Sequence, residues 1–317
     1  MANSENEKIA SDGSRVWHEY YARFHYFSDD TVRKGCQPRI WDWGQRRKNA
    51  VVLVHGLTDS PYFMAAIGRY FHAEMGFNVL LPLLQAHGLK KPDGMRDVSV
   101  EEWKRNVEFA IEKAKGMGES VSIGGLSTGG TLSVFQALTN RDVDGAVYLF
   151  SAALDIAGKI GDAKEWLLRS DFAKLLDIID DRIGSDLIGA NPYRYSRMDK
   201  GGAKQLSILI KDVENLLAEF DPTQQLRLPY FAAHSECDKT AGIDGVEELL
   251  KRGDPQKTNF FKIEKYLKVP HAGVVLREDI KDKDGKVLEE KNPVFDKMMA
   301  AVHKFSEQNL YLNFARK

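Results

Sequence analysis

The chain has 317 residues, 43% of them apolar, enough to bury a sizeable core and suited to one large domain with an insertion rather than two full ones. Lys and Arg total 45 against 46 Asp and Glu, a formal net charge of −1, and neither a basic excess nor a basic stripe of the kind a nucleic-acid binder carries is visible. Two cysteines, Cys36 and Cys237, are too few for a disulfide scaffold and are expected to be free thiols.

The start, Met1-Ala2-Asn3-Ser4-Glu5-Asn6-Glu7-Lys8, is polar and does not read as a signal peptide. No apolar run approaches the ~18 residues of a membrane span. The expected location is the cytoplasm. Residues 1–48 read as an N-terminal extension, polar to about residue 14 and then aromatic (Trp17, Tyr20, Tyr21, Phe24, Tyr26, Phe27), with an early edge strand over Arg39–Trp43. The run Arg46-Arg47-Lys48 reads as a solvated turn.

Val51-Val52-Leu53-Val54 is continuously apolar, as in a strand buried on both faces. Pro61 opens a helix with Met64, Ile67, Tyr70 and Phe71 on one face. A strand follows at Asn78–Leu84. The next helix, Ser99–Lys115, has Ser99 as N-cap, Glu102 three residues on, and an apolar face of Trp103, Val107, Ala110, Ile111 and Ala114. A strand over Ser120–Leu126, a helix over Thr128–Leu138 and a strand over Ala146–Phe150 continue the alternation. Such alternation predicts an α/β fold, a mostly parallel sheet with helices on both faces.

From 152 to 226 the alternation stops, and helices are expected over Lys164–Ile179, Ile183–Ile188 and Ala203–Phe220. An all-helical block inserted here predicts a cap over the sheet edge, dividing the core into 49–151 and 227–317. The alternation resumes with a strand over Pro229–Ala233, a helix over Val246–Arg252, a strand near Phe260–Leu267 and a C-terminal helix over Pro293–Gln308. The charged stretch Asp279–Lys291 predicts a solvated loop or a hairpin around Asp284-Gly285.

Gly125-Leu126-Ser127-Thr128-Gly129 fits G-x-S-x-G. Between a strand and a helix, this spacing puts serine on a tight turn above the sheet, and the glycines let helix and strand pack closely. The hydroxyl then sits at a helix N-terminus, where free amides and the helix dipole favour developing negative charge. Ser127 is the candidate nucleophile. A serine hydroxyl needs a base to take its proton, and acid and histidine follow serine in chain order in enzymes built on this turn.

Three histidines come later. His303 lies on an amphipathic helix, and His234 precedes the best acid, which leaves His271, in the loop Val269-Pro270-His271-Ala272-Gly273, as candidate base. Asp238, in the loop after the 229–233 strand, is the candidate acid. Glu236 is second choice, ahead of Asp221 and Asp244. In the loop His55-Gly56-Leu57-Thr58 the amide of Leu57, with that of Thr128 after the nucleophile, forms the expected oxyanion hole. His55 is expected to hold that loop by hydrogen bonding. No histidine–carboxylate spacing suits a metal, and the chemistry needs no cofactor.

Together these segments resemble the bacterial carboxylesterases and monoacylglycerol lipases, lysophospholipase-like members of the α/β-hydrolase fold. The resemblance rests on Leu53-Val54-His55-Gly56-Leu57-Thr58, Pro82-Leu83-Leu84-Gln85-Ala86-His87-Gly88, Gly124-Gly125-Leu126-Ser127-Thr128-Gly129-Gly130, His234-Ser235-Glu236-Cys237-Asp238-Lys239-Thr240 and His271-Ala272-Gly273. It spans roughly residues 50 to 275. Leu126 stands where this family often has histidine, and Ala86 where it often has glycine. The resemblance implies the same roles for Ser127, Asp238, His271, Leu57 and Thr128. It implies a small-molecule ester or lipid substrate. The apolar residues of the insertion (Leu167, Leu168, Phe172, Leu175, Leu176, Ile179) are expected to be mostly core, with a minority lining an acyl pocket, which favours a short- to medium-chain acyl ester or a monoacylglycerol. Thioester, amide or carbon–carbon hydrolysis, and a slow-turnover ligand receptor on the same scaffold, are the alternatives.

Overall fold

The computed structural model describes residues 16–91, 95–154, 188–197, 200–220 and 224–311. Among them, seven strands form one sheet: β1 (Arg39–Trp41), β2 (Arg47–Val54), β3 (Asn78–Leu81), β4 (Gly118–Leu126), β5 (Val147–Phe150), β6 (Tyr230–Ser235) and β7 (Thr258–Ile263). The spatial order is β1-β3-β2-β4-β5-β6-β7. Only β1 runs antiparallel, pairing Arg39 with Leu81 and Trp41 with Val79 at the sheet edge. This is the mostly parallel α/β sheet expected from the alternation.

The helices are α1 (residues 16–23), α2 (Pro61–Ala73), α3 (Val100–Met117), α4 (Thr128–Thr139), α5 (Lys200–Ala218), α6 (Ile243–Lys251) and α7 (Phe295–Ser306). Strand β2 explains why two layers of helix are needed. Successive side chains point to opposite faces, and its apolar run is buried on both. Ala50, Val52 and Val54 pack with Trp103 and Val107 of α3, Leu132 of α4 and Leu209 of α5. Val51 and Leu53 pack on the other side with Phe63 and Ile67 of α2 and Met298 and Val302 of α7.

Most element bounds lie within a few residues of the sequence expectation, with four instructive differences. Arg47 and Lys48, expected in a solvated turn, instead begin β2, where Arg47 pairs with Gly118. The strand expected near Phe260–Leu267 runs from Thr258 to Ile263, and Lys265–Leu267 forms a short 3-10 turn. The strand expected to reach Leu84 stops at Leu81, where β1 ends its pairing. At α3, Ser99 caps through its side chain, but the amide it accepts is that of Glu101 at 3.2 Å. Glu102 does not close a capping box. It pairs with Arg105 and accepts from the Tyr26 hydroxyl.

The aromatic extension is a packed layer of its own. Trp17, Tyr20, Phe24, Phe27 and Cys36 bury themselves against Leu83 and Phe109, and the Tyr20 hydroxyl donates to the Leu83 carbonyl. Of the expected insertion, the helix over 164–179 lies outside the described residues, as does all of 183–188 except Ile188. The third helix, α5, packs among the core helices. Leu206, Ile210 and Val213 join the same apolar cluster as α3 and α4, and Lys104 of α3 holds Asp212 at 2.9 Å. Both cysteines are free thiols. No described helix is long and apolar enough to cross a membrane.

Candidate active site

Because β2, β4, β6 and β7 run parallel, their C-terminal ends emerge on one edge. Ligand sites of open α/β sheets lie along that edge. The chain segments that follow these strands carry the residues singled out above: 55–60 after β2, Ser127 after β4, Asp238 after β6 and His271 beyond β7. Backbone strain gathers there too. Thr58, Ala86, Ser127 and Ser151 all have positive φ, and such residues cluster where function holds the chain in costly conformations.

Ser127 has φ 53° and ψ −120° and is the N-cap of α4. The strain is held by its own backbone. Its amide donates to the Phe150 carbonyl, and its carbonyl accepts from Gly130, Thr131 and Ala153 at 2.8–3.2 Å. The flanking glycines are required by proximity. A Cβ on Gly129 would overlap the Val54 carbonyl, and one on Gly125 would overlap the Gly129 backbone.

His271 Nδ1 and Asp238 Oδ2 are 2.6 Å apart. The other oxygen of Asp238 accepts from the amides of Thr240 at 2.8 Å and Ala241 at 3.1 Å. Burial pushes this carboxyl up, but His271, His234 and the Thr240 amide outweigh it and hold it well below the usual carboxylate range. Glu236 faces away and accepts from the Lys265 amide at 3.0 Å. Asp244 is exposed at the start of α6, and Asp221 lies outside the described residues. His303 sits on α7, 3.6 Å from Glu307.

The Ser127 hydroxyl makes no hydrogen bond to the His271 ring among the described residues. In structures without substrate such contacts are commonly long and tighten only when substrate binds. Gly56 links the two sides. A Cβ there would lie 3.2 Å from Ser127 Cβ and 2.6 Å from Asp59 Oδ2. The amides of Leu57 and Thr128 donate to no acceptor among the described residues.

His55 holds its loop as the sequence suggested. Its Nε2 accepts from the Leu84 amide at 3.1 Å, so Nδ1 carries the proton and donates to the Gly56 carbonyl at 2.9 Å. Burial, then the neighbouring His87, drives its pKa well below 6.5. His87 is likewise pushed down by burial, to about 4. Between about 6.5 and 4, unfolded His87 binds a proton that the folded ring refuses. Stability should therefore fall with pH across that window, by on the order of 3 kcal/mol from this ring. Urea melts of wild type and His87→Asn at both ends of the window test it. Equal slopes would show that His87 does not carry the effect.

Four residues here drew no attention in the sequence reading of the site, or drew the wrong kind. His234 lies fully buried with Nε2 3.0 Å from the Ala241 carbonyl and 3.4 Å from Asp238. It is excluded as the base by position, yet it touches the acid. Asp59 is buried beside Gly56, Arg194 lies 3.2 Å from it, and Glu289 of the charged hairpin is 3.0 Å from Arg194. The sequence signals for these were indirect: His234 opens the segment that carries Asp238, Asp59 directly follows the segment that ends at Thr58, and Glu289 lies in the charged stretch 279–291, while nothing local marks Arg194.

Among the described residues no cluster of three or more histidine, cysteine or carboxylate side chains could hold a metal.

No family model matches the chain. A thermostable monoacylglycerol lipase of Bacillus sp. (strain H-257) is 35% identical over 106 residues, 33% of this chain and 41% of that protein. A carboxylesterase of Bacillus subtilis (strain 168) is 35% identical over 86 residues, 27% of this chain and 34% of that protein. The matched part thus spans about two fifths and one third of these curated relatives. The solved structure of a metagenome-derived lipolytic enzyme matches with a TM-score of 0.60 at 20% identity, across 86% of this chain and 99% of its own. With its sheet order, strand–serine–helix turn and structural likeness, this chain has the α/β-hydrolase fold, and part of its sequence is similar to bacterial monoacylglycerol lipase and carboxylesterase.

Proposed function

We propose that this protein is a serine hydrolase of carboxylic esters. The observation that carries the reading is the 2.6 Å pair of His271 Nδ1 and Asp238 Oδ2, set at the same sheet edge as the strained turn bearing Ser127. Asp238 keeps the Nδ1 tautomer, leaving Nε2 free to act as base. His271 takes the Ser127 proton as the hydroxyl attacks the ester carbonyl. The amides of Leu57 and Thr128 hold the oxyanion, and His271 returns the proton to the leaving alcohol. Water repeats the sequence on the acyl-enzyme. No cofactor takes part in this scheme.

For the substrate, the named activities of the two curated relatives support a carboxylic ester or a monoacylglycerol, and within that class we propose a short to medium acyl chain. The insertion leaves the core beside the nucleophile, where the Ala153 amide donates to the Ser127 carbonyl at 3.2 Å, and it meets the site loop again at Tyr195, whose amide donates to the Thr58 carbonyl at 2.8 Å; α5, packed with α3 and α4, is not part of a cover over this edge. A series of nitrophenyl esters of rising chain length, run beside a monoacylglycerol, tests the proposal. Turnover peaking at a short or medium chain is expected. Absence of ester turnover alongside activity on thioesters or amides would overturn the substrate class.

A further inference from the structure

The loop that carries the Leu57 amide is strained. Thr58 has φ 68°, a costly conformation for a β-branched residue that persists only where the surroundings fix it. Its own hydroxyl makes no hydrogen bond among the described residues. On the inner side His55 holds the loop to Leu84. On the outer side the loop meets a strap within the insertion, residues 191–195. The Tyr195 amide donates to the Thr58 carbonyl at 2.8 Å, and the Ser60 hydroxyl donates to the Tyr193 carbonyl at 2.7 Å. The Tyr193 ring stacks on Tyr62 of α2 with centroids 3.5 Å apart, and the Tyr195 hydroxyl donates to the Ala86 carbonyl at 2.9 Å.

Arg194, in the middle of this strap, reaches three elements. Its Nε lies 3.2 Å from Asp59 Oδ1, within ion-pair range but without the alignment of a hydrogen bond. Its guanidinium lies 5.3 Å from the ring centroid of Phe63 in α2. It donates to Glu289 Oε1 at 3.0 Å, and Asn191 donates to the same oxygen at 3.3 Å. The Asp59 side chain is only 2% exposed. A buried carboxylate that loses its cation must take up a proton or move towards water. Movement here would disturb the site, because Asp59 Oδ2 lies against Gly56, where a Cβ would stand 2.6 Å from that oxygen and 3.2 Å from Ser127 Cβ. Leu57 is the next residue, and an oxyanion donor works only when held about 3 Å from the developing charge.

We propose that Arg194 is a positioning residue for the oxyanion hole: through Asp59 it holds the backbone of residues 56–58 so that the Leu57 amide meets the developing oxyanion, while Glu289 fixes the guanidinium from the far side. This rests on the proposed role of Leu57. It gives the insertion a part in setting the geometry of the site, and it gives the charged hairpin the task of bracing the strap.

The test is a double-mutant cycle read by kinetics on a nitrophenyl ester and by the Leu57 amide resonance in 15N-labelled protein. Arg194→Met removes the cation and keeps much of the stem. Its kcat should fall about 10- to 100-fold, less than the loss of an oxyanion donor outright, with KM nearly unchanged. The Leu57 resonance should shift. Arg194→Lys, which keeps the charge, should regain most of the rate. Asp59→Asn should lose rate as Arg194→Met does, and the double variant should lose no more than the worse single one, because one clamp cannot be broken twice. An unmoved Leu57 resonance, a loss carried by KM, or losses that multiply in the double variant would overturn the proposal. A merely structural role predicts a lower melting temperature without the kcat-selective loss. If Arg194→Met does not fold, the near-isosteric Asp59→Asn decides by the same two readouts. Retained turnover in Ser127→Ala would sink the hydrolase reading separately, and the Leu57 resonance would still decide whether Arg194 holds the loop.

Discussion

Replacing Ser127 by Ala should lower kcat on an activated ester by on the order of 10⁴ to 10⁶, with little change in thermal stability. The reason for the split lies in how the turn is built. The strained backbone at Ser127 is held through its own amide and carbonyl, bonded to Phe150, Gly130, Thr131 and Ala153, and Ala can make every one of those bonds. The hydroxyl itself makes no hydrogen bond to the protein among the described residues, so the fold does not depend on it. What the variant loses is the attacking oxygen. Residual acceleration would come from the Leu57 and Thr128 amides and from binding. Turnover at the wild-type level by a correctly folded variant would remove Ser127 from the reaction and with it the proposed mechanism.

Asp238→Asn should cost about 10⁴ in kcat while leaving the loop in place. Oδ1 of Asp238 accepts from the Thr240 and Ala241 amides, and an Asn would keep its carbonyl oxygen there. Its NH₂ group would then face His271 Nδ1, where Oδ2 now lies at 2.6 Å. The ring would have to accept at Nδ1 and carry its proton on Nε2. A base protonated on its working nitrogen cannot take the serine proton. The loss should persist at every pH where the ring is neutral, which separates a wrong tautomer from a shifted titration. A loss of less than tenfold would mean that Asp238 does not set the tautomer. The sheet's own demand on Asp238 is small, since its backbone turn closes through the Ser235 carbonyl.

Much of the fold was legible because it depends on local periodicity. The doubly buried run at Val51–Val54, the one-sided helix at Trp103, Val107 and Ile111, and the glycine spacing around Ser127 each record a nearby packing need. That need repeats every two or every three to four residues. The order of elements along the chain then leaves few sheet topologies open.

Ser127, Asp238 and His271 were named in sequence by motif and chain order. The distance between His271 and Asp238 was not in it, because two loops 33 residues apart meet only after β6 and β7 pair in register.

The charged residues behaved differently. Read along the chain, Asp279–Lys291 is a solvated loop or a hairpin, and the strands Ile280–Lys281 and Val287–Glu289 make it the hairpin. Yet Glu289 turns towards Arg194, and Arg194 towards Asp59. No periodicity marks such a chain of charges, because each member answers to a partner distant in sequence. By itself the sequence determined the parallel sheet, its helical layers and the serine turn, since these follow from side-chain patterns a few residues long. Only the tertiary structure decided which buried charges face one another at the sheet edge, since desolvation and pairing energies depend on distances that local pattern does not encode.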